Sequence, residues 1–394
     1  MVRALPQVFT IAPGQDFIRT TIAALLDGAI IDLPFAREPE RLADLTIYVP
    51  TRRLRPIMEA AFAEALAPRP ALLPRIRPLG EPGDPLEKIA AGEAESAVLP
   101  GAVRPIPALQ RRFELLPLIG AWRKGLREAI AEAGAEDAAP VPIRENLALA
   151  DALGRLIDEM RIAGIPLADL RSAAPPGYDP AKFDAYWAQS REFLRIAAEY
   201  WPDRLAALGA ADAADVANSA VEAEARRLRE SDSKAPILIL GSTGSVIATA
   251  RLMKAVSRLD HGAVVLPGLD LDLDERGWAD IASEAASLPT RFAHPQAALK
   301  RTLTELGVTR DHVRLLGIVS SPAKARERVL SEALRPAETV DLWREARLRL
   351  DEAAAFSGLS VLQAADEREE ALSVAILMRE TLEDPTANVA FVTA

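Results

Sequence analysis

Val8-Phe-Thr-Ile-Ala-Pro-Gly-Gln-Asp-Phe-Ile-Arg-Thr20 is the stretch on which the fold turns. A short apolar run with β-branched residues meets a Pro-Gly turn and then a helical pattern, which reads as strand, turn and helix. The same order returns at Leu45–Val49 before the helix Thr51–Leu66, and at Pro236–Leu240 before the helix Ser245–Leu259. Ala263–Leu266, Leu359–Gln363 and Asn388–Thr393 read as further buried strands. Repeated strand–turn–helix units predict an α/β fold built on a parallel sheet.

From about Glu87 to Glu230 no strand is expected. Leu149, Leu153, Leu156, Ile157 and Met160 share one helical face, with Arg144, Asp151, Arg155 and Asp158 largely on the other. Phe183, Tyr186, Trp187, Phe193, Tyr200 and Trp201 read as an aromatic helix that Pro202 helps to end. The expected organisation is a first half of the sheet domain over 1–86, a helical insertion over 87–232, and a second half with connecting helices over 233–356. The start of a second sheet domain is expected over 357–394, with a helix from about Glu367 to Leu382 between its two strands. A buried-type strand with nothing after it suggests the N-terminal part of a longer protein. Pro68–Pro85 reads as a rigid loop or linker, and no internal repeat is evident.

The 394 residues are 49% hydrophobic and 26% charged, which excludes disorder of the whole and gives material for a large core. There is no cysteine, so disulfide scaffolds, cysteine-held metal clusters and thiol catalysis are excluded. His261, His294 and His312 are the only histidines, and none lies within a helical turn of another, which argues against a His-rich metal site. The net charge of −10 makes the surface as a whole repel nucleic acid, yet 40 of the 47 basic residues are Arg, whose fork of donors suits phosphate. Pro6, Gln7, Pro13 and Asp16 break any signal-peptide core, and no apolar run reaches membrane length, so a soluble cytoplasmic protein without membrane contact is expected.

The turn Pro13-Gly14-Gln15 stands where a phosphate loop would, but it has one glycine and no Lys, and Asp16 adds a repelling charge. Strand Ile237–Leu240 runs into Gly241 and Ser242 with no Asp to hold Mg²⁺. No nucleotide cofactor, no metal and no catalytic residue are expected. Gly241-Ser242-Thr243-Gly244-Ser245 is a candidate anion-binding turn before a helix, or a plain strand-to-helix turn with Ser/Thr caps. Asp270, Asp272 and Asp274 alternate, but a calcium loop would need Gly and Glu where Glu275 and Ile281 stand, so a solvated edge or turn fits better. Thr51–Arg77 carries six Arg against Glu59 and Glu64, a local +4. Thr51, Arg52, Arg53, Arg75 and Arg77 are candidate DNA contacts, expected to line one groove at the carboxyl ends of the strands; the plain reading is a solvated face. Arg104, Arg111, Arg112, Arg123, Lys124 and Arg127 surround Trp122, a pattern that can hold single strands or form a charged helix face with a core Trp.

Seven motifs in order carry a resemblance: Phe9-Thr-Ile-Ala-Pro-Gly14, Val49-Pro-Thr-Arg-Arg53, Leu73-Pro-Arg-Ile-Arg-Pro-Leu-Gly80, Gly241–Ser245, Val265-Leu-Pro-Gly-Leu-Asp270, Ser331-Glu-Ala-Leu-Arg-Pro-Ala337 and Ala364-Ala-Asp-Glu-Arg-Glu-Glu-Ala371. Together they resemble the N-terminal part of the AddB family, alphaproteobacterial type, over essentially the whole chain. The resemblance implies a RecA-like, superfamily 1 helicase-like domain with a helical insertion and a truncated second RecA-like domain. It implies an AddA partner in a heterodimer, and single-stranded or duplex-end DNA scanned for a hotspot during double-strand break resection. Some members keep an intact phosphate loop, from which Pro13–Gln15 departs. Two rivals stand beside it: a small-molecule nucleotide-binding enzyme built on Gly241–Ser245, for which no acid–base set is found, and a scaffold that only holds AddA.

Overall fold

The structure, a computed structural model, describes residues 5–79, 103–132, 143–171, 189–230, 234–285 and 289–392. Its centre is a six-stranded sheet of β1 (Val8–Ile11), β2 (Thr46–Val49), β3 (Arg75–Pro78), β6 (Ile237–Leu240), β7 (Gly262–Pro267) and β8 (Arg314–Leu316), in the order β3-β2-β6-β7-β1-β8. Every pairing is parallel. This is the α/β parallel sheet that the strand–turn–helix grammar predicts.

Side chains alternate across the strands and bury both ways. Phe9, Ile11, Ile47, Val49, Leu238 and Leu240 pack with α1 (Phe17–Leu26) and α2 (Leu54–Leu66) through Ile22, Leu25, Met58 and Phe62. Val8, Tyr48, Ile237, Ile239, Val264 and Leu266 face the other layer. Each fully buried side chain of this kind contributes about 1.5–3 kcal/mol. Two layers follow from the order of the strands: the path β1 to β2 to β3 runs one way across the sheet, and β6 to β7 to β8 runs the other.

Between β3 and β6 in the chain lie α3 (Ala108–Glu132), α4 (Ile143–Ala163), α5 (Trp201–Leu208) and α6 (Ala213–Glu230). Leu115, Ile119, Leu153, Ile157, Trp201 and Leu205 form a core cluster of their own. Val221, Ala225 and Leu228 of α6 belong instead to the sheet's cluster, packed with α7 (Ile247–Val256). The block holds one short parallel pair, β4 (Arg104–Pro105) with β5 (Ala210–Ala211). Pro202 does not close a helix: the chain stays helical through it, and its missing N–H falls just after the π-helical turn Ile196–Tyr200. Phe183, Tyr186 and Trp187 lie outside the described residues.

The sheet continues through α8 (Glu275–Asp280), α9 (Ala297–Leu306), α10 (Ser321–Ala333), α11 (Trp343–Arg347) and α12 (Glu352–Ala355). Beyond them α13 (Glu367–Thr381) forms where a helix is expected, opened by Asp366, whose carboxylate accepts from the Glu369 N–H. The two strands expected around it do not form. Leu359–Gln363 and Asn388–Val392 pair with no strand among the described residues, and Val361 and Val392 are almost fully exposed. A strand needs a ladder partner for its backbone, and apolar β-branched composition alone does not supply one.

Candidate functional site

In parallel α/β sheets ligands gather at the carboxyl ends of the strands, so the loops after β1, β2, β6 and β7 are the place to look. After β1, the Gln15 N–H bonds the Ala12 carbonyl at 3.1 Å and tightens the turn Pro13-Gly14-Gln15. The Gly14 N–H donates to Glu327 Oε1 at 3.4 Å, 313 residues away on α10. A Cβ on Gly14 would stand 2.9 Å from that of Ala323, so glycine is what lets the helix sit on the loop. The position where a phosphate would lie against a loop amide is thus filled by a carboxylate of the chain itself.

Helix α10 is fastened along its length to the loop after β7. Lys324 Nζ donates to Asp272 Oδ2 at 2.7 Å and Ser331 Oγ to Asp270 Oδ2 at 2.7 Å. The second oxygen of Asp270 accepts the Asp272 and Leu273 N–H groups at 2.8 and 3.0 Å, an Asx turn. Asp274 caps α8 through the Gly277 N–H at 3.0 Å and pairs with Arg335, whose side chain is 2% exposed. The alternating aspartates are therefore turn and clamp residues, not a solvated edge. Burial alone would raise Asp274; the Arg335 hydrogen bond and the Gly277 amide more than offset that and hold its carboxyl below the usual range.

The cavity left between these loops measures about 160 Å³ and is lined by Ala12, Asp270, Asp272, His294, Lys324 and Glu327 among others. Small-molecule sites occupy about 300–1,000 Å³. His294 beside it accepts from the Gln296 N–H at 3.1 Å through Nδ1, so Nε2 carries the proton that reaches the Leu334 carbonyl at 2.8 Å. Burial pushes its pKa down, against the pull of that carbonyl and of Asp270. The imidazole is held neutral as a strut. Among the described residues, no group of three or more His, Cys, Asp or Glu is placed to hold a metal ion.

The turn Gly241-Ser242-Thr243-Gly244-Ser245 follows β6. Gly241 and Gly244 have φ of +73° and +65°, the left-handed region that suits glycine. The Gly244 N–H is taken by Ser242 Oγ at 3.2 Å, and Thr302 Oγ1 of α9 donates to the Thr243 carbonyl at 2.7 Å. A Cβ on Gly244 would lie 2.3 Å from Thr302 Oγ1. Val246 is the residue at the N-cap of α7, with no side-chain bond, so the expected Ser/Thr cap does not form: Ser242 turns inward and only Ser245 faces solvent.

After β2, Thr51, Arg52 and Arg53 form a turn closed by the Leu54 N–H on the Thr51 carbonyl at 3.3 Å. Helix α2 starts at Leu54, so both arginines precede it. Arg52 and Arg53 are exposed and Thr51 is half-buried; Arg55 is paired with Glu59 at 2.8 Å. Strand β3 separates the other two candidates. Parallel pairing sets Arg75 opposite Thr46, at the amino end of β2, and Arg77 opposite Tyr48. Arg75 and Arg77 alternate with the buried Ile76 and share a face, as expected. Arg77 lies toward the Tyr48–Glu224 pair, where the Tyr48 hydroxyl donates to Glu224 Oε1 at 2.8 Å and Arg227 bonds the same carboxylate at 2.7 Å. Burial would raise Glu224, but these hydrogen bonds, with the charges of Arg227 and Arg77, hold it low; burial and Glu224 together push the Tyr48 hydroxyl far above its usual value. The five residues thus do not line one groove. Thr51, Arg52 and Arg53 stand at the carboxyl edge, Arg77 within the face toward α6, and Arg75 at the opposite edge.

Half of the second basic stretch is taken up inside the helical block, while Arg104, Lys124 and Arg127 are exposed. Arg111 bonds Asp158 at 2.8 Å and Arg112 bonds Asp151 at 2.7 Å. Arg123 reaches Glu145 at 3.8 Å, and Trp122 packs edge-on against Phe193 with ring centres 5.0 Å apart. That is the charged helix face with a packed Trp.

Set against known proteins, the chain matches no family model and no curated protein. No helix among the described residues is long and apolar enough to cross a membrane.

Proposed function

We propose that this chain is the helicase-like, non-catalytic N-terminal part of an AddB-type subunit, which binds single-stranded DNA beside an AddA partner during resection of double-strand breaks. In this reading the six-stranded sheet is a RecA-like domain, the helical block is its insertion, and residues 357–394 belong to a second such domain.

The observation that carries the reading is the contrast between two loops on one edge. After β1, the Gly14 amide faces Glu327 under α10. After β2, Arg52 and Arg53 are exposed beside the half-buried Thr51. Guanidinium groups fit phosphate oxygens bidentately, and a contact of that kind positions a strand without reading its sequence. A nucleotide enzyme built on Gly241–Ser245 is disfavoured, because the Gly244 amide it would use is bonded to Ser242 and packed on Thr302.

The test is the heterodimer with Arg52→Ala and Arg53→Ala together. Single-strand affinity is expected to fall for all sequences alike, and the salt slope to drop by about one for each phosphate that is no longer neutralised. Affinity and slope equal to wild type would remove the assignment.

A further inference from the structure

At the amino ends of the strands, on the edge away from Thr51–Arg53, four segments converge on a second cleft of about 410 Å³. Arg41 and Asp44 come from the 3₁₀ turn Pro39–Asp44 before β2, Arg75 opens β3, Lys234 precedes β6 and His261 precedes β7. Arg41, Arg75 and Lys234 stand against Asp44 and Glu38, a local +1 in a chain of net −10. Arg41 is also bridged to Glu38 at 3.1 Å.

The backbone that carries these groups is fixed. The Arg75 N–H bonds the Leu45 carbonyl at 2.9 Å, the Thr46 N–H the Pro236 carbonyl at 3.0 Å, and the Ile237 N–H the His261 carbonyl at 2.9 Å. β3, β2, β6 and β7 are successive neighbours in the sheet, so their leading residues form a row with one strand spacing, about 4.8 Å, between ranks. A single carboxylate would meet one rank. Linked phosphates would meet the Arg75 fork on the β3 rank and, past the β2 rank that carries Arg41 and Asp44, the Lys234 ammonium and a ring N–H of His261.

We propose that this cleft binds an oligophosphate: two or more linked phosphate groups, from a free polyphosphate chain or from the backbone of a nucleic acid. It is a site separate from Thr51–Arg53, and it stands whether or not the DNA reading holds.

The 394-residue chain has three histidines, so selective labelling gives three imidazole signals, and His261 is the reporter of this cleft. Tripolyphosphate is expected to move the His261 signal and leave His294 and His312 in place. Lys234→Ala and Arg75→Ala should each weaken that titration by about tenfold, the effect of removing one charge-assisted hydrogen bond. A decanucleotide of dT is the second arm. Movement of the same signal, in competition with tripolyphosphate, assigns the ligand to a nucleic-acid backbone; movement by tripolyphosphate alone assigns it to a free chain. A His261 signal that ignores tripolyphosphate, or responds equally in both variants and wild type, overturns the proposal. Lys234 is exposed, so its variant tests binding without a burden on folding.

Discussion

In the helical block a carboxylate lies in the core; around the sheet the buried charges are guanidiniums, Arg310 and Arg335, held at the loops. Asp212, with no exposed surface, accepts from Trp201 Nε1 at 3.1 Å and lies 3.4 Å from Arg111 Nε and 3.9 Å from Arg161 Nε. Neither guanidinium Nε makes a hydrogen bond, so Asp212 is ringed by charge that is not aligned to it. Burial pushes its pKa up, more than Arg111, Trp201 and Arg161 pull it down, and burial raises Asp215 in the same way. The sheet strands carry nothing comparable: Leu238, Ile239, Leu240, Val264 and Val265 are fully buried and apolar. Its ionic contacts sit in the loops and at α6, where Glu224 and Asp274 are held low. A buried charge is tolerated when it orients several elements at once, and here one carboxylate meets α3, α4 and α5 just before α6 begins.

The sharpest way to break that contrast is Asp212→Ala, which removes the acceptor of the buried Trp201 Nε1–H and leaves Arg111 only the carboxylate of Asp158 and Arg161 only that of Asp215. The expected loss is about 3–5 kcal/mol in urea unfolding, and less than about 1 kcal/mol would mean that the network is decorative. Next comes Gly244→Ala in the sheet, where the left-handed backbone and the contact with Thr302 Oγ1 together should cost about 2–4 kcal/mol. Equal tolerance at both sites would erase the distinction between polar and steric cores.

Acid should separate the regions by sign. A raised folded pKa at Asp212 and Asp215 means that their stabilising contribution is complete below the ordinary Asp value of about 4 and is lost as pH rises through the higher folded values. Lowered values at Glu224 and Asp274 mean the reverse: their contribution is present above about 4 and is lost as pH falls through the lower folded values. Amide exchange on going from pH 7 to about 4 should therefore show the block gaining protection relative to the sheet once intrinsic rates are corrected. Uniform change in both regions would contradict this. The smallest effect is expected at Arg53→Ala, within about 0.5 kcal/mol, because the side chain is exposed and makes no ion pair among the described residues.

What the sequence revealed of the fold follows burial. The four inner strands, β2, β6, β7 and β1, are apolar runs because both faces are covered, and all four are legible. The two edge strands are not. β3 reads Arg-Ile-Arg-Pro with only Ile76 buried, and β8 reads Arg-Leu-Leu with only Leu316 buried, since an edge has one neighbour and less to hide. Missing β3 is also what misplaced Arg75, because its register carries that residue to the far end of the sheet. The turn Thr51–Arg53 is readable from its position after a buried strand. The occupation of the loop after β1 is not, since it depends on Glu327 and Ala323 arriving from more than 300 residues away.

Helix α10 has a mechanical consequence. Its 13 residues span about 20 Å and act as a tie rod, stiff in compression because the backbone bonds run along its axis. At one side it grips the loop after β1 through Glu327; at the other, Arg326 holds the Ala355 and Ser357 carbonyls at 3.0 and 2.7 Å. Arg326 and Glu327 are neighbours, so the segment up to Ser357 and the Gly14 loop are linked across a single helical turn, with Lys324–Asp272 and Ser331–Asp270 holding the helix in place. The turn Pro13–Gln15 is, by its connections, an abutment on which α10 and the segment held by Arg326 rest.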